Sequence, residues 1–323
     1  MKKITGTFIQ PLCGGDVPVM DWRFPEWDEE FALMKRIGID TVILLRQMLG
    51  PFAAYDSPWL KKLHPEMWEV SFDYLAMLLR LCEKHGMQFY VPTYNPGHDW
   101  LLDSYDPHRE FEFLVPLVDE LMEKCGNSPA FAGWYFAHEI SRKAAWRVAE
   151  LFRELGPYCK KISGGKPVLM SPGIQGPKGL IADLYPPAER KAHSVTFEQH
   201  REEWDFLMDR LQGAVDIIAF QDGHPDYADL ETFQRINVEL CRKYHFECWS
   251  NIETFDRDTR NPIFQVINWE KLRFKMKSAE NAGCTKFITF EFVPFLSPHG
   301  CYPAAKYLLR RYLEATGQEE VTV

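Results

Sequence analysis

Two glutamates stand where an apolar strand runs out. Phe131–Ile140 reads Phe-Ala-Gly-Trp-Tyr-Phe-Ala-His-Glu-Ile, an apolar and aromatic run that stops at His138-Glu139. Glu247–Phe255 reads Glu-Cys-Trp-Ser-Asn-Ile-Glu-Thr-Phe and carries Glu253 near its exit. A short, continuously apolar run bounded by a turn is a strand buried on both faces, as in a parallel sheet. A carboxylate ending such a strand has no apolar role and must meet water, a partner or a substrate. Two carboxylates opposed over a glycosidic bond are the minimum set for its hydrolysis. One protonates the leaving oxygen, and the other attacks or activates water.

The elements that must position them follow one pattern. Ile4–Ile9 reads as a strand, Pro25 opens a helix that runs to Ile37, and Gly38 closes it. Thr41–Gln47 is the second strand, Gln88–Tyr94 the third, Phe131–Ile140 the fourth, and Pro167–Pro172 the fifth. Val215–Phe220, Glu247–Phe255 and Lys286–Phe292 complete the set, with helices expected at Pro107–Cys125, Arg142–Ile162, Phe197–Leu211, Asp229–Tyr244, Trp269–Ala282 and Pro303–Thr316. Strict β-α alternation means a parallel sheet. A count of eight units favours closure into a (β/α)₈ TIM barrel, one domain over residues 1–323. A doubly wound open sheet is the rival, and no GxGxxG follows the first strand to support it. Connections after the helices are short (Gly38–Asp40, Gly86–Met87), whereas those after strands two, three, five and seven are elaborated. In such barrels the site is built from the loops that follow the strands.

That polarity yields a set of candidates at one rim. Arg46 follows strand two, Asn95 and His98 follow three, and His138 and Glu139 end four. Asp222 and His224 follow six, Glu253 ends seven, and Glu291 ends eight. Strands four and seven lie across the mouth, which lets Glu139 and Glu253 face one another over a ligand. Arg46 would keep a neighbouring carboxylate ionised and orient it. Tyr94, Trp100, Tyr135 and Trp249, with Trp22, are candidate platforms for a sugar ring. Each also has a purely structural reading: Glu139 can pair with Arg142, Glu253 with Arg257 or Arg260, and Asp222-Gly223 is a turn signal in any protein.

Composition narrows the classes. The 323 residues are 46% hydrophobic and 26% charged with net charge −9, and the basic residues form no stripe, which argues against nucleic acid or an anionic membrane as partner. No apolar run reaches the roughly 20 residues that span a bilayer. The eight cysteines form no CxxC pair and read as reduced, buried residues of a cytoplasmic protein, or of an exported one whose signal lies outside the numbering. No cofactor is expected, and the expected partner is a small carbohydrate; oligomeric state is not legible.

Ile4-Thr-Gly-Thr-Phe-Ile, Met34-Lys-Arg-Ile-Gly-Ile-Asp-Thr-Val-Ile-Leu, Gly133-Trp-Tyr-Phe-Ala-His-Glu-Ile and Ala219-Phe-Gln-Asp-Gly resemble a bacterial domain-of-unknown-function family of glycosidase-like TIM barrels. The resemblance spans nearly the whole chain. More distantly, the chain is similar to the clan of retaining (β/α)₈ glycoside hydrolases with glutamates on strands four and seven. That likeness implies Glu139 as acid/base, Glu253 as nucleophile and Arg46 as the clan's strand-two arginine. Two departures stand out: His138 occupies the position of the clan's asparagine, and Glu291-Phe292 that of its strand-eight tryptophan. Glu291 is therefore a rival for the nucleophile's role. Two other functions fit the same residues. One is a metal-dependent sugar isomerase, epimerase or hydrolase using Glu139, Asp222, His224, Glu253 and Glu291, although no HxH or HExxH spacing occurs. The other is a carbohydrate-binding barrel without catalysis.

Overall fold

The computed structural model describes residues 1–12, 17–95, 100, 102–179, 186, 188–257 and 264–319. Eight parallel strands close on themselves: β1 (Ile4–Ile9), β2 (Thr41–Leu44), β3 (Gln88–Pro92), β4 (Phe131–Phe136), β5 (Val168–Met170), β6 (Ile217–Gln221), β7 (Glu247–Glu253) and β8 (Lys286–Phe290). The ring runs in chain order from β1 to β8, and β8 pairs back onto β1 through Ile4–Phe287 and Thr7–Thr289. This is the (β/α)₈ barrel, and the open-sheet rival is excluded by that last pairing. The main helices are α1 (Phe24–Arg36), α2 (Tyr74–His85), α3 (Pro107–Cys125), α4 (Trp146–Ile162), α5 (Phe197–Leu211), α6 (Tyr227–Tyr244), α7 (Trp269–Ala282) and α8 (Ala305–Thr316).

Local chemistry sets the helix ends. Asp73 and Asp106 accept main-chain N–H bonds at the starts of α2 and α3, and Thr196 with Gln199 forms a capping box on α5. Gly283 ends α7 with φ +91°, a conformation glycine adopts without strain. The strands divide two cores between them. Phe8, Ile43, Tyr90, Tyr135, Leu169 and Ile288 fill the ring, while Phe89, Trp134, Phe136 and Ile218 face the helices. A Cβ on Gly133 would lie 2.7 Å from the Tyr90 ring, so the missing side chain is what admits that ring to the interior.

Where the structure departs from the sequence pattern, the causes are local. The connection after β2 holds a small hairpin, Met48–Leu49 with Phe52–Ala53, and a short helix, Pro58–Leu63. The helix expected from Arg142 begins at Trp146, after a tight turn at Lys143–Ala145. Arg142 is extended and donates twice to Glu203, at 2.6 Å each, so its charge ties the loop to α5 and not to Glu139.

Candidate active site

The C-terminal ends of the strands surround a pocket of about 270 Å³. Gln10 after β1, Arg46 after β2, Glu139 after β4, Ser171 after β5, Gln221 on β6 and Glu253 on β7 all line it. Phe8 and Tyr135, in edge-to-face contact at 5.1 Å, lie among its walls, as do Phe255, Phe264 and Phe290. The two glutamates singled out from the sequence thus share one cavity, although they stand 114 positions apart in the chain (253 − 139).

Glu253 is 2% exposed and is gripped at both oxygens. Arg257 donates Nε to Oε2 at 2.7 Å and Nη2 to Oε1 at 2.8 Å. The guanidinium lies over the rings of Phe255 and Phe264, 4.9 and 5.2 Å from their centroids. Burial alone would raise the Glu253 carboxyl, but the charges and hydrogen bonds of Arg257, with Lys275 behind, bring it down to about 2. It is a carboxylate at any working pH. Gly223 makes room for this pair: a Cβ there would overlap Glu253 Oε2 and lie 2.7 Å from Arg257 Nε.

Glu139 differs in setting. It is exposed on the pocket wall, near enough to raise both the Tyr135 hydroxyl and the Arg257 guanidinium. Glu291 is 2% exposed, accepts the Gln10 N–H at 3.0 Å, and is not among the pocket-lining residues. Burial drives its carboxyl well above the usual range, and neither that hydrogen bond nor Arg46 offsets it. For Glu253 the ionising charge comes from Arg257, while Arg46 lines the same pocket as Glu139 and acts on Glu291. His224 lines the pocket, and burial with the nearby Arg257 charge lowers it to about 3, so its imidazole is neutral.

Several expected contacts lie elsewhere. His138 is fully buried, bonds Glu110 through Nε2 at 2.9 Å and packs on Phe152, on the helix side of β4. The Tyr94 hydroxyl meets His64 Nε2 at 2.6 Å, and its ring and that of Trp100 belong to the outer core. Asn95 donates to the Ala137 carbonyl at 3.2 Å. Trp249 sits low in the ring, opposite Lys286, with Nε1 donating to Glu247 at 2.9 Å, so it cannot be a platform at the mouth. Asp222 is buried behind Glu253 and bonds protein groups there. Trp22 packs edge-to-face on Trp27. His98 lies outside the described residues. Gln10, Ser171, Gln221 and Asn251 also reach the pocket without having been singled out from the sequence, being polar residues at strand ends with no charge to draw notice. Among the described residues, no group of three or more His, Cys, Asp or Glu side chains is placed to hold a metal ion. No helix among them is long and apolar enough to cross a membrane.

The mouth of this (β/α)₈ barrel thus holds a solvent-exposed glutamate and a buried one bound by arginine. Residues 4–302 match the family described as "Domain of unknown function (DUF4434)", and the chain belongs to that family. A protein of Bacteroides thetaiotaomicron VPI-5482 described as a "putative alpha-L-fucosidase" is 40% identical, with TM-score 0.88 over 98% of this chain and 94% of that one. The β-galactosidase of the psychrophilic Marinomonas ef1 is 12% identical with TM-score 0.55, covering 98% of this chain and 61% of that one. The intracellular xylanase of Thermoanaerobacterium saccharolyticum JW/SL-YS485 is 11% identical with TM-score 0.51, covering 90% and 87%. The last two likenesses are of fold alone. No curated protein matches the chain.

Proposed function

We propose that this protein is a retaining glycoside hydrolase that needs no cofactor, with Glu253 as nucleophile and Glu139 as acid/base. The observation that carries this is the sharing of one pocket by an exposed glutamate and a buried, permanently ionised one. A nucleophile must be ionised before the sugar arrives, which favours Glu253 over Glu291, whose carboxyl burial pushes well above the usual range. An acid/base group gives up a proton and recovers it in each cycle, which suits the solvent-facing Glu139. In the first step a Glu253 oxygen bonds the anomeric carbon as the glycosidic bond breaks, and Glu139 protonates the departing oxygen. In the second, Glu139 takes a proton from water, the water oxygen bonds the anomeric carbon, and Glu253 leaves as a carboxylate. Arg257 favours that departure because it holds the charge that reappears.

The pocket is at the lower edge of the roughly 300–1,000 Å³ common for small-molecule sites, a size for one sugar unit of a small glycoside. The 40% identical relative makes α-L-fucosides the first substrates to try. Turnover is measured on a panel of nitrophenyl glycosides with Glu139→Gln and Glu253→Gln. Each substitution is expected to lower kcat by roughly 10²–10⁴-fold, and the product's first-formed anomer, read by NMR, should match the substrate's. Unchanged turnover in both variants would remove the proposal. The engagement of both Glu253 oxygens by Arg257 also suits a barrel that only binds sugars. Thermal stabilisation by a sugar, with no turnover across the panel, would favour that second reading.

A further inference from the structure

Behind the pocket, a buried ion pair grips the main chain of Glu253. Lys275 projects from α7 and is 2% exposed. Its Nζ lies 2.8 Å from Asp222 Oδ1 and donates to the Glu253 carbonyl at 3.0 Å. Asp222 Oδ1 in turn accepts the Glu253 N–H at 3.0 Å. The regular pairing of β6 with β7 ends at Gln221–Asn251, and the Asp222 side chain continues it by one more rung. Both main-chain polar groups of Glu253 are therefore fixed by a pair of buried side chains.

Stability does not account for such a pair. Removing two charges from water costs about as much as their attraction returns, and apolar replacements are often neutral or better. Asp222 Oδ2 is also buried with no hydrogen-bond partner, a cost left uncompensated. What the pair supplies is position. We propose that Asp222 and Lys275 are positioning residues that hold Glu253 from behind, while Arg257 holds its carboxylate from the front. The inference rests on the reading of Glu253 as the nucleophile and adds to it. A carboxylate fixed at both ends can be aimed at an anomeric carbon to within the fraction of an ångström that such attack requires.

The charged and titratable groups around Glu253 come from four elements: Asp222 and His224 after β6, Arg257 after β7, Lys275 on α7, and Glu139 beyond Arg257. Of these, Lys275 is the one whose charge favours the carboxylate from the protein side.

The test is the double variant Asp222→Asn/Lys275→Met, which leaves no buried charge unpaired, with folding checked by circular dichroism. The expected result is a kcat lower by about 10–100-fold with KM within about twofold, because aim is lost and the pocket is not. The ¹³C resonance of the Glu253 carboxyl, assigned with Glu253→Gln, should titrate at higher pH than in the parent. A folded double variant with parental kcat and an unmoved carboxyl midpoint would overturn the inference. If the parent cleaves no glycoside, the titration decides alone: an upward move keeps the clamp while the hydrolase reading falls, and no move sinks the clamp. If the double variant does not fold, Asp222→Asn alone is isosteric and keeps an acceptor for the Glu253 N–H. Asp222→Ala then removes that acceptor, and its kcat should fall at constant KM relative to Asp222→Asn; equal kcat in the two variants counts against the pair.

Discussion

Gly223 is where a single missing side chain decides the site. The Glu253–Arg257 pair fills the volume that a Cβ would take. Gly223→Ala is expected to push the pair apart and, with Glu253 as the proposed nucleophile, to lower turnover on a cleaved glycoside by at least about 10²-fold. Binding of the sugar product should weaken less, and a variant with parental kcat would show that the pair can shift at no cost. At this scale the sequence is legible in part. Glu139 and Glu253 can be picked out because a carboxylate at the end of an apolar strand gains nothing from the core beside it. Gly223 reads only as a turn residue, since its constraint comes from a side chain 30 positions later (253 − 223). Lys275 carries a subtler signal: Leu272, Met276 and Ala279 form the buried stripe of α7, and a lysine at 275 falls within it. Tyr94 and Trp100 mislead as platforms because an aromatic near a strand end does not declare whether it faces the ring or the helices, and Trp249 faces the ring but too low to reach the mouth.

Elements show the same division between pattern and contact. The eight strands and their helices are legible because apolar runs alternate with amphipathic stretches and Gly or Pro marks the joints. What pattern cannot supply is where charges between elements draw the chain, as Arg142 does when Glu203 holds it away from helix geometry. Gly156 is a second case. Inside α4, glycine is worth about 1 kcal/mol less than alanine by propensity alone, so Gly156→Ala should stabilise the helix if nothing else touches it. Here a Cβ would lie 2.7 Å from Ala214 Cα and 2.8 Å from the Ala214 carbonyl carbon, main-chain atoms of the turn entering β6. Backbone cannot step aside as a side chain tip can. Gly156→Ala is expected to destabilise by about 1–3 kcal/mol, read as a lower urea midpoint with an unchanged slope. A midpoint at or above the parent's would mean that α4 slides without penalty.

For the whole molecule, one part of the pH dependence of stability comes from histidines that the fold keeps neutral. His200 on α5 is 1% exposed, shares a 2.7 Å hydrogen bond with Asn237 Oδ1 on α6, and is packed among Trp204, Phe220 and Phe233. Burial lowers it from 6.5 to about 4, outweighing the hydrogen bond to Asn237. The unfolded chain therefore binds a proton below pH 6.5 that the folded chain refuses until about pH 4. Stability from this group is complete above pH 6.5 and is lost as the pH falls through that window, by about 3 kcal/mol in all. His224, lowered to about 3, acts in the same direction. Asp222, raised to about 6, and Glu291, which burial pushes well above the usual carboxylate range, oppose both, because a raised carboxyl makes the fold more stable as it is protonated. Each group is therefore read as a difference between variant and parent rather than from the parent's own slope. His200→Gln keeps a donor for Asn237 and removes one titrating group, so its urea midpoint relative to the parent's should rise as the pH is taken from 7 to 4.5. A variant whose stability changes with pH in parallel with the parent's would show that the proton enters elsewhere.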